Sequence, residues 1–562
     1  MSRVKGLQAA APPLATAAVT FVCFLPALDA GFVNWLDDEQ LLDQSGWRGL
    51  GAEHLRWMLT ETREHYVPVM WLSFGLDHAL WEMNPRGYHL TNLLIHAAAA
   101  GLFCGLLSAL LNLDGAGRWA AALGALVFSI HPLRVESVVW LMGRRDVLSG
   151  FFLMLTLLAY LKAARGGPGR WRWLWAALAA YVPALLSKAI VMTAPLLMLL
   201  LDVYPLRRFG RERARAILLE KIPFLAAAAL VAVVAFVTLR GKSEVAAYGL
   251  FPRLLQGVYG LAFYPIKTVL PVDLSPLYPL ARPPDLSDPR FLASLVGVAI
   301  AAAALVLARR RWPAGLAAGA AYVVLLLPVL GLVKSGLHLV ADRYSYLASL
   351  PLSALLAAAL ARPAPRLGAL PALATMLLLV PFGVLTARQC RVWTDSRTLW
   401  THAIRVDPTN LQAYLFRADA HRLQETDPAA VDADYETALR LDPDHPIIHN
   451  HYGEWLLRTG RPQRALRHLD RAVALRPDYD VALNNRGVAL RQTGEPGAAL
   501  EDFARSVALN PDYLGARFNR ADLLRERGDA EGARRDLDEI LRRAAADAPL
   551  RARAEAMLRE LR

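Results

Sequence analysis

The sequence predicts an all-α protein in two parts, a polytopic helical membrane domain followed by an α-solenoid. Apolar residues make up 55% of the 562-residue chain, and they crowd into residues 1–387. Residues 388–562 are instead rich in Arg, Asp and Glu. Within that second part, Pro and Gly recur at a spacing of 34 or 35 residues. A chain this long exceeds one compact domain, and the composition shift supplies the boundary.

A helix that crosses a bilayer needs about 20 mainly apolar residues. Candidate runs centre on 9–28, 90–111, 119–131, 147–163, 172–187, 189–203, 222–240, 291–308, 314–332, 345–361 and 367–387. The first follows Arg3 and Lys5 and imitates a signal peptide. No small-x-small cleavage site follows it, so it is read as an uncleaved first helix. A further run, 257–272, is interrupted by Pro265, Lys267 and Pro271.

Lys and Arg favour cytoplasmic loops. The stretches from Lys162 and Arg207 and the triplet Arg309–Arg311 are strongly basic; Arg362 and Arg366 are a weaker fourth. All are inside if the N-terminus is inside and 257–272 is re-entrant or interfacial. That reading gives about eleven spans with the C-terminal part outside. Full crossing of 257–272 would move that part to the cytoplasm and Arg309–Arg311 outside. The net charge of +13 is then a property of inner loops, and no nucleic-acid signature accompanies it. Cys23, Cys104 and Cys390 have no spacing that suggests a metal site or a disulfide framework.

In the second part, Pro408, Pro443, Pro477 and Pro511 recur, as do Gly460, Gly494 and Gly528. "ALRHLDRAVALRPD", "ALEDFARSVALNPD" and "ARRDLDEILRRA" align. This is the tetratricopeptide pattern of helix, Gly-containing turn, helix and terminating Pro. The expected layout is a membrane domain over 1–387 with 31–89 as its first external loop, and a linker over 388–409. Repeats then cover 410–545, the first copy degenerate, and a capping helix covers 546–562. Stacked helix pairs form a concave groove. Asn485, Asn519 and His451 share one repeat position, where amides could hydrogen-bond the backbone of an extended acceptor peptide. The alternative is a merely solvated groove.

Ionisable groups near a bilayer are functional suspects. On this topology four clusters face outside. They are Asp37, Asp38 and Glu39; Glu61, Arg63, Glu64 and His65 with His89, Asn92 and His96; His131, Arg134, Glu136, Arg144, Arg145 and Asp146; and Lys188, Lys334, His338, Asp342 and Arg343. Acids and bases from separate loops on one side suit transfer from a lipid-linked substrate. A carboxylate acts as general base on an acceptor hydroxyl, while Arg and Lys hold a departing phosphate. Paired acids also admit Mg or Mn, though no spacing demands a metal and no other cofactor is indicated. The competing reading pairs these groups structurally with one another.

The "DDE" after the first span, "NPRGYHLTNLLIH", "IHPLRVESVVWLMGRRDVLSGFF", "LLSKAIVMTAPLLMLLLDVYPLRR" and "ADRYSYLASL", followed by tetratricopeptide repeats, carry a resemblance. Together they resemble the transmembrane and tetratricopeptide repeat (TMTC) family and its bacterial relatives, members of the GT-C superfamily of membrane glycosyltransferases. The resemblance implies a polyprenyl-phosphate sugar donor, dolichyl-phosphate mannose in eukaryotes. It also implies transfer with inversion to Ser or Thr of a protein; in bacteria an envelope glycan is an alternative acceptor. Carried over, Asp37 and Asp38 match the first-loop acidic pair, with Asp38 as base and Asp37 orienting it or binding a metal. Glu136 and Asp146 match the second-loop acids, and Arg144, Lys188 and Arg343 match basic positions able to face the donor phosphate. The Ala- and Arg-rich composition points to a bacterial inner membrane with periplasmic repeats; a eukaryotic chain would place them in the ER lumen. The runner-up function is a non-catalytic membrane scaffold that recruits envelope proteins through the repeats. A transporter lacks the paired broken helices expected in two halves.

Overall fold

The computed structural model describes residues 2–62, 66–210, 212, 214–239, 248–280, 282–332, 338–362, 369–424, 427–544 and 549–561. Arg63, Glu64, His65 and Lys334 lie outside the described residues. The chain divides into two compact units, Met1–Asn410 and Leu411–Arg562.

The first unit is a helical bundle. Among the described residues, five helices are long and apolar enough to cross a membrane, or six counting one bent pair, and four shorter apolar helices accompany them. Their burial separates centre from edge. The apolar window of Leu141–Ala164 is 67% buried, whereas that of Pro289–Ala308 is 11% buried. Leu292, Val296, Ile300 and Leu307 on the latter are exposed, as expected of a helix wetted by lipid rather than water. The apolar helices fit a multi-pass membrane protein.

The run expected over 119–131 is the first arm of the bent pair, Gly117–Ser129 and Pro132–Val139, which meet at 59°. Pro132 explains the bend, because proline disfavours helical backbone at the residue before it. His131, extended at ψ 139, accepts a hydrogen bond from the Leu133 amide and starts the second arm.

One expectation changes. The run at 257–272 is not interrupted at Pro265; one helix covers Leu250–Val269 and ends before Pro271. Proline removes the amide that would bond the carbonyl four residues earlier. Here that carbonyl, of Leu261, accepts from the Tyr322 hydroxyl at 2.9 Å instead. The segment 388–409, expected as a linker, carries helical structure. A helix continues to Val392 and a second covers Ser396–Val406. Trp400 is fully buried and its indole donates to the Asn34 Oδ1 at 2.7 Å. Among the described residues one short antiparallel pairing interrupts the all-helical plan, Tyr278–Pro279 with His338–Val340.

Among the described residues the second unit contains four helix pairs. They are Leu411–Gln424 with Pro428–Leu441, Pro446–Arg458 with Pro462–Leu475, Asp480–Thr493 with Pro496–Leu509, and Leu514–Glu526 with Ala530–Arg543. A terminal helix, Pro549–Glu560, follows. The repeated residues explain the repeated geometry. A side chain at Gly487 would collide with the Phe503 ring at 2.6 Å, so Gly lets the paired helices touch. Gly494 has φ +90, the left-handed cap that ends a helix. Arg486 and Arg520 pair with the buried Asp502 and Asp536 of their partner helices, each contact at 2.6 Å. Leu415, Val431, Ile448, Leu456 and Leu469 form the core of the first two pairs.

Candidate active site

The first element of the site is the loop after the first helix. Its backbone is anchored: Gly31 donates to the Thr394 carbonyl and Asn34 to the Ser396 hydroxyl, both at 2.9 Å. Leu36 then adopts φ +71, a left-handed conformation costly for a non-glycine residue. Strain of this kind persists only where surrounding contacts enforce it, and here it directly precedes the acids. Asp37 is buried, and its Oδ2 accepts from the Val33 amide at 3.2 Å. Asp38 is half-buried at the start of the π-helical turn Asp38–Leu42, and Glu39 is exposed.

The second element folds back on itself. After the arm Val135–Val139, Trp140 is extended, Leu141–Gly143 make a tight turn, and Arg144 starts a new helix. Gly143 is required by close approach, since a Cβ there would lie 2.7 Å from the Ser137 carbonyl and 2.8 Å from that of Glu136. The turn gathers Glu136, Trp140, Arg145 and Asp146.

The third and fourth elements close on the second. Lys188 sits in extended backbone between two helices, and its Nζ lies 2.5 Å from the Asp146 Oδ1. Arg343 donates its amide to the Glu136 Oε2 at 2.8 Å, and its guanidinium pairs with the Oε1. Neighbouring Asp342 accepts from the Tyr278 hydroxyl at 3.0 Å. Two aromatic rings tie the cations together. The guanidiniums of Arg145 and Arg343 lie 5.5 and 5.2 Å from the Trp140 ring. Arg343 and Lys188 lie 5.2 and 5.7 Å from the Tyr344 ring. The Trp140 indole donates to the Trp35 carbonyl at 2.8 Å, which joins it to the loop that carries Asp37.

Electrostatics at these loops follow from burial and neighbours. Burial raises the pKa of Asp37 well above the ordinary carboxylate value, and the charge of Asp38 adds to this. Burial lowers the Lys188 pKa to about 8, with Asp146 opposing the shift. Burial also opposes the charge of Arg343, but Glu136 outweighs it and holds the guanidinium more firmly protonated than usual. His338 is pushed down to about 3 by burial, with Arg343 and Arg145 adding to the effect. It is therefore a neutral imidazole at physiological pH.

Sequence reasoning placed Glu136, Asp146, Lys188 and Arg343 at one site, and the fold brings all four together. It treats Arg144 differently. That guanidinium is fully buried, paired with Asp77, and donates to the Asn92 Oδ1 at 2.5 Å and the Tyr88 carbonyl at 2.7 Å. It also lies 4.3 Å from the Phe74 ring. Arg144 ties the loop helix Pro68–Trp81 to the helix Pro85–Leu110. Arg145, the next residue on the helix, faces Trp140. A step of one residue turns a helix by about 100°, so two adjacent arginines address different neighbours. Asp77 and Trp140 were not singled out from sequence; the acid in an otherwise apolar helix was the available signal for the first. A small cavity of about 20 Å³ beside Arg145 is lined by Gln40, Gln44, Glu61, Trp71 and Met142 among others, room for one hydroxyl or water.

Among the described residues no group of three or more His, Cys, Asp or Glu is arranged to hold a metal ion. Asp37 and Asp38 by themselves supply two adjacent carboxyl groups.

In the repeat unit the asparagines form a ladder. Asn519 donates to Asn484 at 2.8 Å, Asn484 to Asn485 at 3.2 Å, and Asn485 to Asn450 at 3.0 Å. Asn450 and Asn484 precede the positions chosen from sequence by one residue, and the hydrogen bonds pass through them. His451 is half-buried on the same helix face register as Asn485 and Asn519.

The tetratricopeptide repeat family model matches residues 391–446, 433–480, 453–513 and 484–549. The protein O-mannosyl-transferase TMTC2 of Mus musculus is 37% identical over 174 residues, 28% of this chain and 20% of that protein. The TMTC2 of Homo sapiens is 36% identical over the same length. Tmtc2 of Drosophila melanogaster is 33% identical over 200 residues, 33% of this chain and 21% of that protein. The chain is a TMTC-like relative. It spans about one fifth of the length of the TMTC relatives it matches. Among solved structures, PilF of Pseudomonas aeruginosa is 24% identical with a TM-score of 0.26, covering 33% of this TMTC-like chain and 84% of PilF.

Proposed function

We propose that this chain is a membrane glycosyltransferase that moves a sugar from a polyprenyl-phosphate carrier to a hydroxyl of a protein or envelope acceptor. The relatives' name makes mannose the first sugar to test. One observation carries the reading: Arg145, Lys188 and Arg343 converge around Trp140 and Tyr344 beside the buried acids Glu136 and Asp146. Guanidinium and ammonium groups gathered in this way are the donors that a lipid phosphate fits. The half-buried Asp38 follows Asp37 in the loop whose Trp35 carbonyl accepts from the Trp140 indole at 2.8 Å.

In this reading the acceptor hydroxyl oxygen attacks the anomeric carbon as the bond from that carbon to the phosphate oxygen breaks. Asp38 takes the hydroxyl proton. The polyprenyl phosphate leaves with the electron pair, and the three cations stabilise its charge. A single displacement inverts the anomeric centre. Asp37 orients Asp38, or shares a divalent cation with it. Glu136 and Asp146 fix Arg343 and Lys188, and Arg144 holds the helices that carry the site. The small cavity beside Arg145 receives one sugar hydroxyl. Asn485, Asn519 and His451 in the repeat unit bind the acceptor polypeptide. The site faces the periplasm from a bacterial inner membrane, or the ER lumen in a eukaryotic cell.

The test is transfer by the reconstituted full chain, with polyprenyl-phosphate mannose and a Ser/Thr peptide. Wild type should give an inverted mannoside and Asp38→Asn should not. A folded Asp38→Asn protein that transfers as well as wild type would overturn the assignment.

A further inference from the structure

An apolar groove of about 360 Å³ runs through the first unit, between the helices Pro85–Leu110, Arg144–Ala164, Ala194–Val203, Pro313–Leu326 and Leu350–Leu360. Leu106, Leu157, Leu197, Ala318 and Leu355 represent its walls. Volume of this order accommodates a ligand, and walls made mostly of Leu and Ala accommodate hydrocarbon.

The groove has a direction. Three of its helices start beside the polar cluster: Pro85–Leu110 carries Asn92, Arg144–Ala164 begins at Arg144, and Ala194–Val203 follows Lys188. Leu350–Leu360 likewise follows Arg343, and all four run away from the cluster. The groove reaches their far ends, at Leu113, Tyr204 and Arg362. Two more guanidiniums stand on that rim. Arg118 donates to the Leu113 carbonyl at 3.4 Å, and Arg165 bonds the Ala109 carbonyl and the Asn112 Oδ1. Among the described residues none of these three arginines has a carboxylate partner. Asp114 is exposed on the same loop, and three cations against one acid leave the rim positive.

We propose that this groove is a binding site for one anionic glycerophospholipid, an acyl chain between the helices and the phosphate on Arg118, Arg165 and Arg362. Basic pockets between spanning helices on the cytoplasmic side suit such head groups, and basic residues place this end inside. The donor lipid's phosphate belongs at the opposite end, by Lys188 and Arg343. The site is therefore separate from the transfer chemistry and does not depend on it.

Native mass spectrometry of the detergent-purified full chain, mixed with equal phosphatidylglycerol and phosphatidylcholine, tests this. Wild type should retain one phosphatidylglycerol in preference. Arg362→Gln should reduce that preference about fivefold, the worth of one cation near an anionic head group, and Arg362→Lys should keep it. Ala318→Leu, which fills open space, should lower retention of both lipids. Thermal melting identifies any variant that fails to fold, and Arg362→Lys then carries the comparison. Equal retention of the two lipids by wild type would overturn the proposal. So would an unchanged preference in folded Arg362→Gln, or displacement of phosphatidylglycerol by an equal amount of polyprenyl phosphate.

Discussion

Asp37 and Asp38 are neighbours in sequence with different environments, and their substitutions should separate. Asp38→Asn removes the proposed base and should lower transfer roughly 10²- to 10⁴-fold, with an unchanged melting temperature. Asp37→Asn should lower transfer less and raise the melting temperature at neutral pH. The sign follows from linkage. Burial raises the folded pKa of Asp37 above the ordinary 3.8, so the folded state binds this proton more tightly than the unfolded state. Its cost to stability is absent below that ordinary value and grows as pH rises through the folded pKa. Asn carries no such cost. A transfer defect larger for Asp37→Asn than for Asp38→Asn would move the base to Asp37. Lys188 gives a second pH signature. It keeps its charge below about pH 8 and loses it above, so donor affinity should fall as pH rises through that value. Lys188→Arg stays charged and should shift the alkaline limb upward in a KM profile.

At the scale of the element, the turn at Gly143 sets the site. Gly143→Ala drives a Cβ into two backbone carbonyls, which cannot rotate away as a side chain can. We expect destabilisation of about 1–3 kcal/mol and a loss of transfer as Glu136 and Arg145 separate, read by thermal melting and activity together. The asparagine ladder makes a different prediction. Asn485→Ala and Asn519→Ala should raise the KM for a protein acceptor severalfold. Transfer to a small hydroxyl acceptor should be unchanged, because the repeat unit contributes no reacting atom in the proposed mechanism. Equal effects on both acceptors would assign the ladder to architecture.

For the whole molecule, topology is the decisive measurement. A reporter fused after Arg562 should read as periplasmic or lumenal. A cytoplasmic signal would make the helix Leu250–Val269 a full crossing and remove the repeats from the face where transfer is proposed. The helix keeps its hydrogen bonding through Pro265 because Tyr322 serves the orphaned carbonyl, so continuity alone does not decide whether it crosses. Its exposed Leu250, Leu254, Ile266 and Val269 suit either a lipid-facing span or a helix lying at the interface.

Periodicity carried most of the architecture. Apolar runs of bilayer length and the 34-residue recurrence of Pro and Gly are local signals, so helices and repeats were legible without tertiary contacts. So were Glu136, Asp146, Lys188 and Arg343, because each is an ionisable group at the end of an apolar run, where burial demands a partner. The partner itself was not legible. Arg144 and Arg145 are chemically identical and adjacent, and only the phase of their helix against Asp77 and Trp140 decides which one is locked away and which faces the site. The helix at Ser396–Val406 read as a linker because its anchoring contacts, Trp400 to Asn34 and Asn34 to Ser396, span more than 360 residues. Sequence determined the apolar runs, the helix pairs of the repeats and which residues must be paired or at work. The tertiary structure decided the pairings, because a side chain's neighbours across the bundle are set by packing and not by order along the chain.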